Sequence, residues 1–114
     1  YFHGHSVGGT NPALVQAMAC GAPVVARDTV YNREVLSDSG TFVSPDSDSI
    51  VSELNRVMTD PKWQTDSAAL SVQRAQSHYA WESVCSSYLN LLTDTVAGTP
   101  VGQLRSDRIP ESKP

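Results

Sequence analysis

Near its start the chain runs Gly4-His5-Ser6-Val7-Gly8-Gly9-Thr10-Asn11-Pro12, which combines glycines, hydroxyls, a histidine and a helix-starting pair. The chemistry this mixture supports is anion binding by backbone N–H groups. Glycine lets the main chain come close to a ligand, and a helix N-terminus directly behind it adds unpaired donors and a partial positive charge. Asn11 suits the N-cap, and Pro12 suits the first helical position, where its missing N–H would have had no partner. Gly21 can take the left-handed conformation just past the helix, and Pro23 prevents its continuation. A tight turn packed by glycines needs the same residues, so both readings stand at this point.

Other reactive side chains are sparse. His5 lies inside the loop, where an imidazole can donate to a phosphate or sugar oxygen and change charge near neutral pH. Equally, it can hold the loop through a backbone bond. His3 reads as a structural strand residue and His78 as a surface one. Ser6 and His5 are adjacent in sequence, which does not create the geometry of a nucleophile and its base. Asp28, Glu34 and Asp38 are scattered carboxylates rather than an acid–base pair. Arg33 has two readings, as a phosphate contact or as the partner of a nearby carboxylate. No residues have metal-ligand spacing. Cys20 and Cys85 fall in helical patterns and read as reduced, buried thiols.

The elements that must position the loop follow from periodicity. Short strands are expected at residues 1–3, 24–26 and 41–43, with helices at 12–20, 48–59, 62–76 and 81–94. Residues 27–31 read as a loop and 32–36 as one or two helical turns. Asp46 or Ser47 can cap the helix carrying Ile50, Val51, Leu54, Val57 and Met58 on one face. The helix at 62–76 has Trp63, Leu70 and Val72 as apolar anchors. Trp81, Val84, Cys85, Tyr88, Leu91 and Leu92 form a helical stripe that reads as core. The fold class is α/β: a partial Rossmann-like parallel sheet flanked by helices, with a helical C-terminal half.

With 114 residues, the chain has room for one modest core, and its net charge of −4 argues against nucleic-acid binding. No apolar run approaches the ~20 residues that span a bilayer, and no signal peptide is visible. Residues 1–95 read as one partial lobe. Residues 96–114, rich in Gly, Pro, Ser and charge, read as a disordered tail. Without an initiator Met, and with Tyr1-Phe2-His3 reading as the end of a strand, the chain is expected to be part of a longer protein.

The loop and helix from His3 to Ala19, followed by Gly21-Ala22-Pro23-Val24-Val25 and then Asn32-Arg33-Glu34-Val35, resemble a known family. They look like the C-terminal, nucleotide-sugar-binding lobe of GT-B glycosyltransferases of family 4. The likeness is to the bacterial rhamnosyltransferase-like branch used in surface-polysaccharide assembly. The resemblance covers about residues 1 to 95, which is under half of such an enzyme. It implies a missing N-terminal lobe that binds the acceptor, and missing basic residues that clamp the diphosphate.

The resemblance also assigns roles. Gly8, Gly9, Thr10 and Asn11 would bind the donor diphosphate. Gln16 stands where the family has the second of two glutamates, the one that bonds the donor ribose. Gly8 stands at the first. A glutamine can bond a hydroxyl, without the charge assistance of a carboxylate; an exposed helix residue with no ligand is the alternative. His5 would be the catalytic candidate and Arg33 a phosphate contact, with no metal and no cofactor. The activity implied is retaining, hexosyltransferase-type transfer from a nucleoside-diphosphate sugar, rhamnose among the candidates, to a glycan or lipid-linked acceptor. The expected location is cytoplasmic, with peripheral contact at the inner membrane face in the parent. The isolated chain would be inactive. Two other classes stay open: a GT-B sugar-nucleotide epimerase, and a non-catalytic nucleotide-binding or interaction fragment.

Overall fold

The computed structural model describes residues 1–98, which fall into two units: Tyr1–Tyr79 and the segment from Ala80 onward. The first unit carries a three-stranded parallel sheet in the order β1 (Phe2–His3), β2 (Val24–Arg27), β3 (Gly40–Val43). Phe2 pairs with Val25, and His3 with Ala26; Val24, Val25, Ala26 and Arg27 pair with Gly40, Thr41, Phe42 and Val43. Residues opposite one another share a face, so this register sorts every strand residue to one side or the other.

Each face has its own core. Val24 and Ala26 pack with Leu14 and Met18 of α1 (Pro12–Ala19), Val35 and Leu36 of α2 (Val30–Leu36), and Ala75 of α4 (Pro61–His78). Val25 and Val43 turn the other way, onto Val57, Ile50 and Leu54 of α3 (Ser47–Met58) and onto Trp63. Helices on both faces leave ligand sites to the carboxyl end of the strands, where the loops emerge. The expected parallel α/β arrangement is the one found, and the edge strand β1 leaves Tyr1 and Phe2 46% and 43% exposed.

Local signals explain the helix ends. Asn11, Thr29, Asp46 and Asp60 each accept a bond from a backbone N–H in the first turn of the helix they cap. At the end of α1 the N–H groups of Gly21 and Ala22 bond the carbonyls of Met18 and Ala17, both at 3.0 Å, with Gly21 at φ 72°. This pair of reverse bonds is the stop expected of a glycine in that place.

Four expectations need correction. First, α2 starts at Val30 because Thr29 caps it, and Arg27 belongs to β2, so little of residues 27–31 is loop. Second, α4 does not anchor through Leu70, which is 43% exposed; its buried face is Ser67, Ser71 and Ala75. Small side chains allow close approach, and both serine hydroxyls donate to the Ser39 carbonyl, at 2.5 and 3.3 Å. Arg74 adds bonds to the carbonyls of Val35 at 2.6 Å and Glu34 at 2.5 Å, which cover the exposed end of α2. Third, α5 (Trp81–Val96) buries none of its residues, and Trp81 is 77% exposed. Its period supplies an apolar face but not the surface to cover it. Fourth, Cys20 and Cys85 are free thiols, both exposed. Cys20 caps the end of α1, and Cys85 lies on α5. The tail reading falls mostly on residues 99–114, outside the described residues.

Two predictions follow from the packing. A Cβ at Gly40 would lie 2.8 Å from the Val24 carbonyl oxygen and 3.3 Å from Leu36. Backbone cannot yield as a side chain can, so Gly40→Ala is expected to cost about 1–3 kcal/mol in urea unfolding; an unchanged midpoint would show that β2 and β3 tolerate separation. The second concerns His3, 1% exposed, whose pKa burial lowers below the usual 6.5, with His5 adding to the effect. The unfolded chain therefore binds this proton more tightly than the folded one. Stability should be complete above pH 6.5 and fall as pH drops from there through the folded-state pKa. Unfolding curves across that range should show this acid loss in the wild type and less of it in His3→Phe; parallel profiles would exclude His3 as its source.

Candidate functional site

The glycine-rich loop leaves the carboxyl end of β1 and spans residues 4–10, all exposed. Gly8 holds φ at 113°, a conformation that residues with a Cβ rarely adopt. Gly9 does not share it, so the conformational need for glycine in this pair falls at Gly8. A Cβ at either position would meet nothing within 4 Å. The N–H groups of Gly8, Gly9 and Thr10 make no hydrogen bond among the described residues. Directly behind them Asn11 caps α1, its side-chain oxygen accepting from the Ala13 N–H at 3.0 Å, with Pro12 in the first turn. Three free donors and a helix N-terminus thus sit together where a parallel sheet presents ligands.

The loop is tied down from an unexpected quarter. Asn32 on α2 is 4% exposed. Its side-chain Nδ2 donates to the carbonyl of His5, in the loop, at 3.1 Å and to the carbonyl of Arg27, at the end of β2, at 2.9 Å. One carboxamide therefore joins the start of the glycine loop to the neighbouring strand. Thr29 Oγ1 accepts from the Asn32 N–H at 3.1 Å and fixes the helix turn that carries it. A buried amide with both N–H groups satisfied is strongly specified in position, since its loss would leave carbonyls unpaired. In sequence, Asn32 stood out only as part of a four-residue match. The signal that finds it is its phase: Asn32, Val35 and Leu36 share the buried face of α2 at i, i+3 and i+4.

The charged and aromatic groups divide sharply into occupied and free. His5 stacks on His3 with ring centroids 4.8 Å apart and 25° between planes. The Tyr1 hydroxyl lies 3.3 Å from His3 Nδ1, and His3 Nε2 is buried without a partner. With its pKa lowered, His3 is neutral at pH 7 and lends the loop no charge. Arg33 takes the second of its two readings, as a carboxylate's partner: it makes a bidentate ion pair with Asp28, at 2.5 Å from Nε to Oδ1 and 2.7 Å from Nη2 to Oδ2. Its guanidinium also lies 4.6 Å from the Phe42 ring centre. The Arg33 bonds lower the Asp28 pKa and keep that carboxylate ionised. Arg27, by contrast, has no side-chain hydrogen bond or ion pair among the described residues.

Gln16 is exposed on α1, across the helix from the buried pair Leu14 and Met18, and its side chain makes no hydrogen bond among the described residues. The structure therefore brings His5, Gly8, Gly9, Thr10 and Asn11 into one loop, puts Gln16 on the open side of the helix behind it, and engages Arg33 elsewhere. Among the described residues no group of three or more His, Cys, Asp or Glu is placed to hold a metal ion. No described helix is long and apolar enough to cross a membrane.

Comparison with known proteins adds context to this geometry. No family model matches the chain. It is 28% identical over 78 residues to O-antigen chain mannosyltransferase B of Escherichia coli, an alignment that covers 68% of this chain and 20% of that protein. Its fold matches part of sucrose-phosphate synthase from Thermosynechococcus elongatus, with a TM-score of 0.72 and 24% identity. That superposition covers 79% of this chain and 23% of the other. The chain thus spans about a fifth of the length of each. The fold is that of part of a GT-B glycosyltransferase lobe, a parallel sheet flanked by helices with a helical C-terminal half.

Proposed function

We propose that this chain is the donor-binding part of a glycosyltransferase that moves a sugar from a nucleoside diphosphate to a glycan or lipid-linked acceptor in bacterial surface-polysaccharide synthesis. The observation that carries this reading is the set of free N–H groups at Gly8, Gly9 and Thr10 ahead of the Asn11-capped helix. Its support from outside the chain is the similarity to an O-antigen mannosyltransferase. The likeness of the loop to family 4 extends the proposal to retention of anomeric configuration. The donor sugar is a hexose or deoxyhexose; the loop resemblance favours rhamnose and the relative favours mannose. The enzyme works in the cytoplasm, at the inner face of the membrane.

The chemistry is that of a departing diphosphate. As the bond to the sugar breaks, negative charge grows on the β-phosphate, and fixed N–H dipoles stabilise it without having to reorient. A helix terminus supplies ~0.3–2 kcal/mol to such an anion, which is far less than a catalysed transfer needs. The remainder comes from a second lobe that closes on the donor, excludes water and positions the acceptor. Gln16 on the open side of α1 is free to meet ribose hydroxyls, since no group among the described residues bonds its side chain.

Calorimetric titration of uridine and guanosine diphosphates into the longer enzyme tests this site. Gln16→Ala should weaken binding by about 1–3 kcal/mol, the usual cost of leaving a partner unsatisfied. Gln16→Glu should retain or improve it if the side chain meets ribose, and weaken it if the diphosphate lies alongside. Gly8→Val should do more harm than either, because valine resists the positive φ found there. Indistinguishable affinities across the Gln16 series would remove Gln16 from the site. A second outcome concerns activity: the purified 114-residue chain should turn over no nucleotide sugar, and measurable transfer would contradict its assignment as one part of a two-lobed enzyme.

A further inference from the structure

Beyond the glycine loop, the carboxyl end of the sheet opens into a second cleft, of about 210 Å³, on the face covered by α3. Phe2, Val43, Pro45 and Ile50 give it apolar walls, and Gly4 and Ser44 also line it. Arg27, the last residue of β2, lines it too. The register explains why: Arg27 sits beside Val43 and on the same face as Val25, so its side chain leaves the sheet on the α3 side. Its guanidinium, as noted, has no partner among the described residues, whereas Arg33, Arg56 and Arg74 are each held by a carboxylate or by backbone carbonyls.

The two acidic groups adjacent in sequence to residues of this cleft, Asp28 beside Arg27 and Asp46 beside Pro45, are already engaged, Asp28 by the Arg33 guanidinium. Asp46 accepts from the Ser44 hydroxyl and from the Ser49 N–H, the latter at 2.8 Å, in capping α3. These bonds lower its pKa, so it keeps its charge while serving the helix. Arg27 is thus a planar, five-donor cation standing free in a half-apolar cleft, at the end of the strands where ligands of parallel sheets collect. The cleft also adjoins the glycine loop. Gly4 belongs to both, and the Asn32 amide bonds the carbonyls of His5 and Arg27 together.

From this arrangement we infer that the Arg27 cleft binds a phosphoryl group, with the carbon portion of the same ligand lying against Phe2, Val43 and Ile50. The guanidinium fork matches two phosphate oxygens, and the apolar walls lower the dielectric around the pair. That the ligand is a phosphorylated one rests on the function proposed above; the free cation in a cleft does not. Two sources share this chemistry: the diphosphate of the donor itself, reaching across from the glycine loop, and a separate phosphorylated molecule such as a lipid-linked acceptor.

Titration of the full chain, labelled for magnetic resonance, with inorganic phosphate reads both sites at once. The expected result is that Gly4, Ser44, Ile50 and the Arg27 side-chain N–H signals shift together. Arg27→Gln should weaken that response about tenfold or more, and Arg27→Lys should weaken it less, because charge survives but the fork does not. Arg33→Gln should leave it unchanged. The Arg27 side chain has no hydrogen bond or ion pair among the described residues, so circular dichroism should show its variants folded. Shifts confined to Gly8, Gly9 and Thr10 would overturn this inference and leave the proposed function standing. Shifts at the Arg27 cleft alone would support the inference and count against the diphosphate site in the glycine loop. A cleft response indifferent to Arg27→Gln, or no cleft response, also overturns it. Repeating the titration in saturating uridine diphosphate separates the sources. If phosphate no longer moves the cleft signals, the donor occupies it; if they still move, a second phosphorylated molecule does. Either supports a phosphoryl site.

Discussion

A single buried carboxamide sets the geometry on which the rest of this site depends. Without Asn32, the glycine loop would be held only at its two ends, by β1, a strand of two residues at the sheet's edge, and by α1, packed on one face of the sheet. Loops rich in glycine lose much conformational freedom when ordered, so something must hold them. Asn32 does this by joining the His5 carbonyl to that of Arg27. The short helix α2 exists to present it, capped by Thr29 and closed at its other end by Arg74. An amide is well suited to the task. It satisfies two carbonyls at once without burying a charge, which a lysine in its place would do at considerable cost.

The two faces of the sheet meet their helices in different ways, and the difference shapes the site. The α3 face is apolar and ends in the cleft that holds Arg27. The opposite face is tighter. There α4 brings Ser67 and Ser71 against the Ser39 carbonyl, which lets helix and turn approach where larger side chains would force them apart. Gly40 serves the same closeness between β2 and β3. Rigid packing beneath the strands is what allows loops above them to hold a ligand in fixed register.

Much of this was legible in the sequence, for reasons that can be located. The strands at Val24 and Thr41 were readable because β-branched runs lay between clear stops. The start of α1 was readable because Asn11 and Pro12 signal it twice. The Tyr1–Tyr79 core follows from such local rules. What escaped was interaction at a distance. Ser67 and Ser71 look like surface residues until Ser39 is brought against them from 28 and 32 positions away. Arg33 keeps two readings in sequence, because sequence does not show that Asp28, five positions earlier, faces it across the start of α2. Arg27 follows a β-branched run too short to mark its own end, so the sequence does not show that it emerges on one face of a strand. The stripe on α5 was read correctly as a stripe and wrongly as core, because periodicity reports a face and not its partner.

The most direct test of this account is to measure pyrophosphate binding at the glycine loop with and without the carboxamide. Amide signals of Gly8, Gly9 and Thr10 would be followed in wild type, Asn32→Ala and Asn32→Asp, with Val24, Val25 and Ala26 signals reporting that the sheet remains intact. Removing two hydrogen bonds to loop and strand should weaken pyrophosphate by about tenfold or more, as the loop loses its fixed donors. The aspartate, which turns acceptors toward two carbonyls, should be the worse of the two. Equal affinity in all three, with the sheet signals native, would contradict the claim that Asn32 holds this loop in its binding geometry.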